Sequence, residues 1–291
     1  MRWAELRIET DAASEDAVAN ILIEEGCQGT VSTSTNGVQT VCGYLPVDDL
    51  IETRLESVRE RIRALPDFGL SLPSTELQVN WVEDKDWQTA YRAFFKPVRV
   101  GRIVVSPTWE NPDVTEEDIV VWLDPGMAFG TGHHETTRLC LQALQDLIRG
   151  GETVLDVGTG SGVLAIAAAK LGAKPVIAID IDPVAVQVAV ENVSRNELSG
   201  TVAVLTGGSP KVFSGKADIL VANIVPDVII TMAEDLAAKL KPRGVLVTSG
   251  IVRERARDVT SSLEAVGLST CEVREEGDWV AVISRFKIAG G

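Results

Sequence analysis

The segment Asp156-Val157-Gly158-Thr159-Gly160-Ser161-Gly162 sets three glycines at alternate positions between an apolar run and a helix-forming one. Glycine is needed where a chain turns sharply, where its backbone must approach a ligand, and where helix and strand pack closely. The N–H groups at the start of the following helix would favour an anionic group nearby. Asp180 lies 22 residues beyond Gly158 at the end of the next apolar run. A carboxylate there accepts hydrogen bonds from both ribose hydroxyls of an adenosine cofactor. A glycine turn alone also serves packing, but turn, helix and acid together specify an adenosine pocket. The spacing G-x-G-x-G, rather than G-x-G-x-x-G, favours S-adenosylmethionine over a nicotinamide cofactor, with Gly158 and Gly160 in the cradle.

Two other segments carry polar groups suited to chemistry. Asp124 to Thr137 holds three glycines within seven residues, Gly126, Gly130 and Gly132, and reads as a mobile loop. The chain's only two histidines, His133 and His134, are adjacent in it. Adjacent side chains diverge, and no Cys or third His is near, so no metal site is expected. Two readings stay open: His134 or Thr136 caps the next helix, or the loop covers the cofactor. In the second, Phe129 lies against the reactive end and Thr137 bonds a polar group. Asn223 ends an apolar strand at the carboxyl edge of the sheet, where open α/β folds bind ligands, although Asn also forms simple turns.

The elements that must position these residues alternate from Val98 onward. Two preliminary strands, around 102–106 and 119–123, precede a helix over 135–148. Strands are expected at 153–157, 175–180, 202–205, 217–222 and 244–248, with helices at 161–171, 183–195, 226–240 and 254–266. Near-continuous apolar strands such as Asp218-Ile219-Leu220-Val221-Ala222 require a parallel sheet covered on both faces. Runs 269–275 and 279–286 are joined by Glu276-Gly277-Asp278, too short for anything but an antiparallel hairpin, so the sheet departs from the plain dinucleotide-binding fold.

The first 82 residues read differently. Strand 3–9, a helix over 14–25 beginning at a Ser14 cap, and strands 29–35 and 38–44 around Asn36-Gly37 come first. A helix over 48–64 and a strand over 76–82 complete β-α-β-β-α-β, the order of a ferredoxin-like split sandwich. With no glycine loop and no histidine, this domain reads as a recognition module. Residues 83–97 form a linker whose Trp87, Tyr91, Phe94 and Phe95, at helical spacing and ended by Pro97, either pack as anchors or close over a cofactor.

Composition bounds the rest. In 291 residues, 45% hydrophobic and 24% charged, a core of ordinary size can form in each of two domains. No run of about 18 apolar residues and no signal-peptide pattern is found, so a cytoplasmic protein is expected. The net charge is −15, with 14 acids against 6 bases in residues 1–82. Such a field repels nucleic-acid phosphates, and it either steers in a basic partner or merely keeps the protein in solution. Cys27, Cys42, Cys140 and Cys271 are far apart without a C-x-x-C pair and read as reduced thiols.

The segments Phe129-Gly-Thr-Gly-His-His-Glu-Thr-Thr137, Asp156 to Gly162 and Ala222-Asn-Ile224 closely resemble the bacterial ribosomal protein L11 methyltransferases of the PrmA type, over the whole chain. The resemblance implies a Rossmann-like class I S-adenosylmethionine-dependent methyltransferase domain at 98–291, behind the small α+β ferredoxin-like domain. It implies that the N-terminal domain docks L11, and that the C-terminal domain methylates amino groups, usually to the trimethyl state. It also implies that Phe129, His134, Thr137, Gly158, Asp180 and Asn223 line the S-adenosylmethionine site. Within it, Asn223 and Phe129 are expected to act on the amine, with His134 as a candidate base. Another protein or a small amine as substrate, a nicotinamide-dependent oxidoreductase, and a non-catalytic S-adenosylmethionine-binding module are the competing readings.

Overall fold

The computed structural model describes the chain except residues 1, 12–13, 28–29, 36–37, 49, 69, 71, 84–95, 124–133 and 288–291. Its contacts divide the chain into two compact units, Met1–Lys96 and Pro97–Gly291. The aromatics Trp87, Tyr91, Phe94 and Phe95 lie outside the described residues.

In the first unit, β1 (Arg2–Thr10), α1 (Glu15–Glu24), β2 (Thr30–Thr35), β3 (Val38–Pro46), α2 (Ile51–Ala64) and β4 (Gln78–Glu83) follow the expected order. The strands form one antiparallel sheet, β2-β3-β1-β4. That is the ferredoxin-like arrangement, with Thr35 of β2 paired to Val38 of β3. Ala4, Leu6 and Ile8 alternate onto the helix-facing side and meet Leu22, Leu55, Val58 and Ile62 in one core. Ser14 precedes α1, but its backbone is helical (φ −102°, ψ −7°) and its side chain makes no capping bond. Asp11 Oδ1 instead accepts from the Ser14 amide at 2.9 Å.

The domain also holds a buried polar cluster that its sequence does not announce. Glu5 accepts from Tyr44 Oη at 2.9 Å, Arg7 at 3.0 Å and Asn80 Nδ2 at 3.1 Å. Strand register places Tyr44 and Asn80 directly opposite Glu5. Burial pushes the Glu5 carboxyl up, but the bonds from Arg7, Asn80 and Tyr44 outweigh it and hold its pKa below the usual value.

The second unit opens with a three-stranded sheet of β5 (Val98–Val100), β6 (Ile103–Ser106) and β7 (Ile119–Trp122). The main sheet holds β8 (Val154–Val157), β9 (Val176–Asp180), β10 (Val202–Thr206), β11 (Ala217–Asn223), β12 (Leu240–Val252), β13 (Leu268–Glu276) and β14 (Trp279–Phe286). Their order is β10-β9-β8-β11-β12-β14-β13, with the first five parallel and β14 antiparallel to both its neighbours. The expected terminal hairpin turns at Gly277-Asp278, between Glu276 and Trp279.

Both faces of this sheet are covered, which explains the unbroken apolar strands. Val154, Val176, Ile219 and Val221 face α3 (Glu135–Leu147) and α4 (Val163–Lys170). Leu155, Ile177, Leu220 and Leu246 face α6 (Pro226–Thr231), α7 (Ala233–Lys239) and α8 (Ala256–Ala265). The remaining helix, α5 (Pro183–Arg195), connects β9 to β10. The single helix expected over 226–240 is two, separated at Met232, beside a bond from Thr231 Oγ1 back to Asp227 O at 2.8 Å. β12 runs beyond Thr248 because its register with β14 shifts between Thr248 and Ile251, a bulge that lets pairing resume.

Candidate active site

β8 is where the strand order reverses: the chain steps outward through β9 and β10, then returns to lay β11 on the other side. Ligands bind in the crevice such a reversal leaves at the carboxyl ends of the strands. The turn after β8 and the turn after β11 form its two walls.

The first wall is built by glycine. Gly158, Gly160 and Gly162 have φ of +74°, +53° and +85°, left-handed values that an L side chain resists. The amides of Gly158 and Thr159 donate to Ile179 O at 2.8 and 3.0 Å, tying the turn to the end of β9. Gly160 N–H donates to Asp180 Oδ2 at 2.8 Å, and Asp182 N–H to Asp180 Oδ1 at 3.0 Å. The amides of Gly158, Thr159 and Gly160 are thus spent inside the turn. Each Asp180 oxygen retains a lone pair for a hydroxyl.

Beneath the turn, Asp156 is fully buried. Thr159 Oγ1 donates to its Oδ2 at 2.6 Å, while Oδ1 has no hydrogen-bond partner. Burial pushes its pKa up to about 7, against the pull of the Thr159 hydroxyl and the Ala165 amide, and the Asp180 charge adds to the rise.

The second wall brings Asn223 to Thr137. Asn223 Nδ2 donates to Thr137 Oγ1 at 3.4 Å across 86 residues of sequence, and Thr137 is fully buried on α3. Among the described residues, Asn223 Oδ1 is buried without a partner, an acceptor suited to an N–H donor. His134 is the N-cap of α3: its Nδ1 accepts from the Thr136 amide at 3.3 Å and lies 2.8 Å from Thr136 Oγ1. The His134 ring also meets Trp279 edge-on, with centroids 4.7 Å apart. Capping, one of the two readings open from the sequence, is thus what the Thr136 contact provides. Phe129 lies outside the described residues.

Ile224 of the quoted motif belongs to this wall, together with Ser249, Gly250 and Trp279, which the sequence did not single out as site residues. Ile224 N–H donates to Ser249 O at 3.1 Å, and Gly250 (φ +82°) packs against the Ile224 backbone. Trp279 comes from the hairpin, 145 residues from the histidine it touches. An isolated glycine at the end of an apolar strand was the one available sign of the bulge.

The residues present fit an S-adenosyl cofactor: a left-handed turn with no room for a side chain at Gly158, a carboxylate with open lone pairs at Asp180, and, among the described residues, a buried orphan oxygen at Asn223. Fold and site together define a class I methyltransferase with S-adenosylmethionine as methyl donor. The family description "Ribosomal protein L11 methyltransferase (PrmA)" matches residues 2–287. A protein of that name from Pelotomaculum thermopropionicum is 43% identical, covering 99% of this chain and 100% of the relative. Another, from Alkaliphilus oremlandii, is 39% identical over 99% of each chain. The crystal structure of a ribosomal protein L11 methylase from Lactobacillus delbrueckii subsp. bulgaricus superimposes with a TM-score of 0.63 at 31% identity, covering 67% of this chain and all of that one. This chain belongs to the ribosomal protein L11 methyltransferase family. Among the described residues, no helix is long and apolar enough to cross a membrane.

Proposed function

We propose that this chain transfers methyl groups from S-adenosylmethionine to amino groups of ribosomal protein L11, at lysine side chains or the N-terminal amine, in the cytoplasm. The observation that carries this reading is the buried, unpartnered Asn223 Oδ1 beside the cofactor turn. When bound, S-adenosylmethionine supplies an activated methyl group on a sulfonium sulfur. The chain's task is to present a neutral amine in line with it. A lysine at pH 7 must give up its proton across about 3.4 pK units, roughly 4.6 kcal/mol. A desolvated site favours the neutral amine, and orientation contributes on the order of 7–11 kcal/mol.

In this reading Asn223 Oδ1 accepts from the amine and aims its lone pair, while Thr137 holds the Asn223 amide group. Gly158, Gly160 and Asp180 hold the adenosine part, and Phe129 closes the reactive end. His134 anchors the start of α3 through its cap and Trp279, so proton removal falls to solvent before the amine is enclosed. Residues 1–82 recognise the protein substrate, 83–97 link, and 98–291 catalyse. The acidity of residues 1–82 suits a basic ribosomal protein.

Intact-mass measurement of every ribosomal protein, after incubating ribosomes from cells lacking this enzyme with the enzyme and S-adenosylmethionine, tests the assignment. L11 should gain mass in steps of one methylene. A gain on another protein alone would replace the substrate. Removing residues 1–82 should abolish methylation of L11 while S-adenosylmethionine still binds.

A further inference from the structure

Ile224 follows Asn223 directly, and left-handed glycines hold it on two sides. At Gly158, in the cofactor turn, a Cβ would overlap Ile224 Cγ2. The methyl branch of Ile224 therefore rests on the bare backbone of Gly158. At Gly250, in the β12 bulge, a Cβ would stand 2.5 Å from Ile224 O and 3.0 Å from Ile224 N. The backbone of Ile224 is thus pressed against the bulge, and its amide is bonded to Ser249 O. The bulge is fixed in turn: Ser249 is fully buried and its Oγ donates to Val280 O at 3.0 Å on β14. One side chain, braced from behind by a rigid strand, spans from the turn that holds the cofactor to the residue beside Asn223.

We propose that Ile224 is a positioning residue, whose Cγ2 methyl seated on Gly158 sets the distance between the cofactor turn and Asn223. The proposal rests on the reading that Asn223 orients the amine. It requires a branch at Cβ rather than a given volume. Val keeps the Cγ2 methyl and loses only Cδ1. Leu keeps the volume but moves the branch one carbon outward, so it either withdraws from Gly158 or drives two methyls against it. Misplacement of about 1 Å between reacting groups costs on the order of 10²-fold in rate.

Full-length Ile224→Val and Ile224→Leu, assayed for L11 methylation with S-adenosylmethionine affinity and Tm measured alongside, decide the matter. Ile224→Val should keep kcat close to that of the parent. Ile224→Leu should lose roughly tenfold or more in kcat. Its KM for L11 and its affinity for S-adenosylmethionine should hold. Full turnover in the Leu variant overturns the proposal. So does loss of turnover in both variants in step with Tm, which is the mark of core packing alone. Asn223→Ala run in parallel separates the two ideas. If it retains turnover, the role of Asn223 is wrong; if it is inactive while Ile224→Leu is fully active, only the spacer is wrong.

Discussion

The two walls of the crevice differ in how far the protein completes them by itself. On the glycine wall, the amides of Gly158, Thr159, Gly160 and Gly162 all have partners within the chain and both Asp180 oxygens are engaged, while the orphan Asp156 Oδ1 lies buried beneath the turn. On the other wall, Asn223 makes one long bond of 3.4 Å and leaves a buried oxygen unused. A self-satisfied turn keeps its shape with or without a ligand, as a cofactor seat should. A buried acceptor without a partner costs about 1–3 kcal/mol until something donates to it. In the proposed reading the first wall holds the cofactor and the second is completed by the reaction's own participants.

Asn223→Ala should have the largest effect, lowering kcat on the order of 10²-fold with little change in S-adenosylmethionine affinity, as measured by steady-state kinetics beside calorimetry. If affinity fell and kcat held, the roles of the two walls would be exchanged. Asp180→Ala comes next. Losing a charged acceptor costs about 1.5–3 kcal/mol, so S-adenosylmethionine should bind roughly 10- to 100-fold more weakly, with kcat at saturation nearly kept. Unchanged affinity would remove Asp180 from the cofactor seat.

The smallest effect concerns Asp156 and is read in stability. Its folded pKa of about 7 lies above the ordinary aspartate value of about 3.9. Between these values the folded state holds a proton the unfolded state has lost, so this group's contribution to stability falls as pH rises from about 4 to about 7, and is level above. Asp156→Asn keeps an acceptor for Thr159 and cannot ionise. Its stability relative to the parent should rise across that window in urea titrations. A difference independent of pH would mean that Asp156 titrates as it does in water.

Much of this was legible in the sequence because it rests on local rules. The left-handed turn needs glycine at 158, 160 and 162, parallel strands covered on both faces must be apolar throughout, and Gly277-Asp278 leaves room only for a hairpin. The Asn223 edge was legible as a strand end. What it touches was not, because Thr137 is 86 residues away on a helix. Whether His134 or Thr136 caps the helix could not be told before the Thr136 amide was seen to point at His134 Nδ1. The Glu5 cluster was missed for a similar reason, since Arg7, Tyr44 and Asn80 gather only through the register of three strands.

The sequence by itself determined the glycine turn, the order of the elements and the family. These depend on backbone conformations and periodicities that neighbouring residues encode. Only the tertiary structure decided which wall is self-satisfied, that His134 caps a helix, and that Ile224 stands between two glycines 92 residues apart. Such contacts depend on how the carboxyl ends of β8, β11 and β12 come to lie side by side, and short-range spacing does not carry that information.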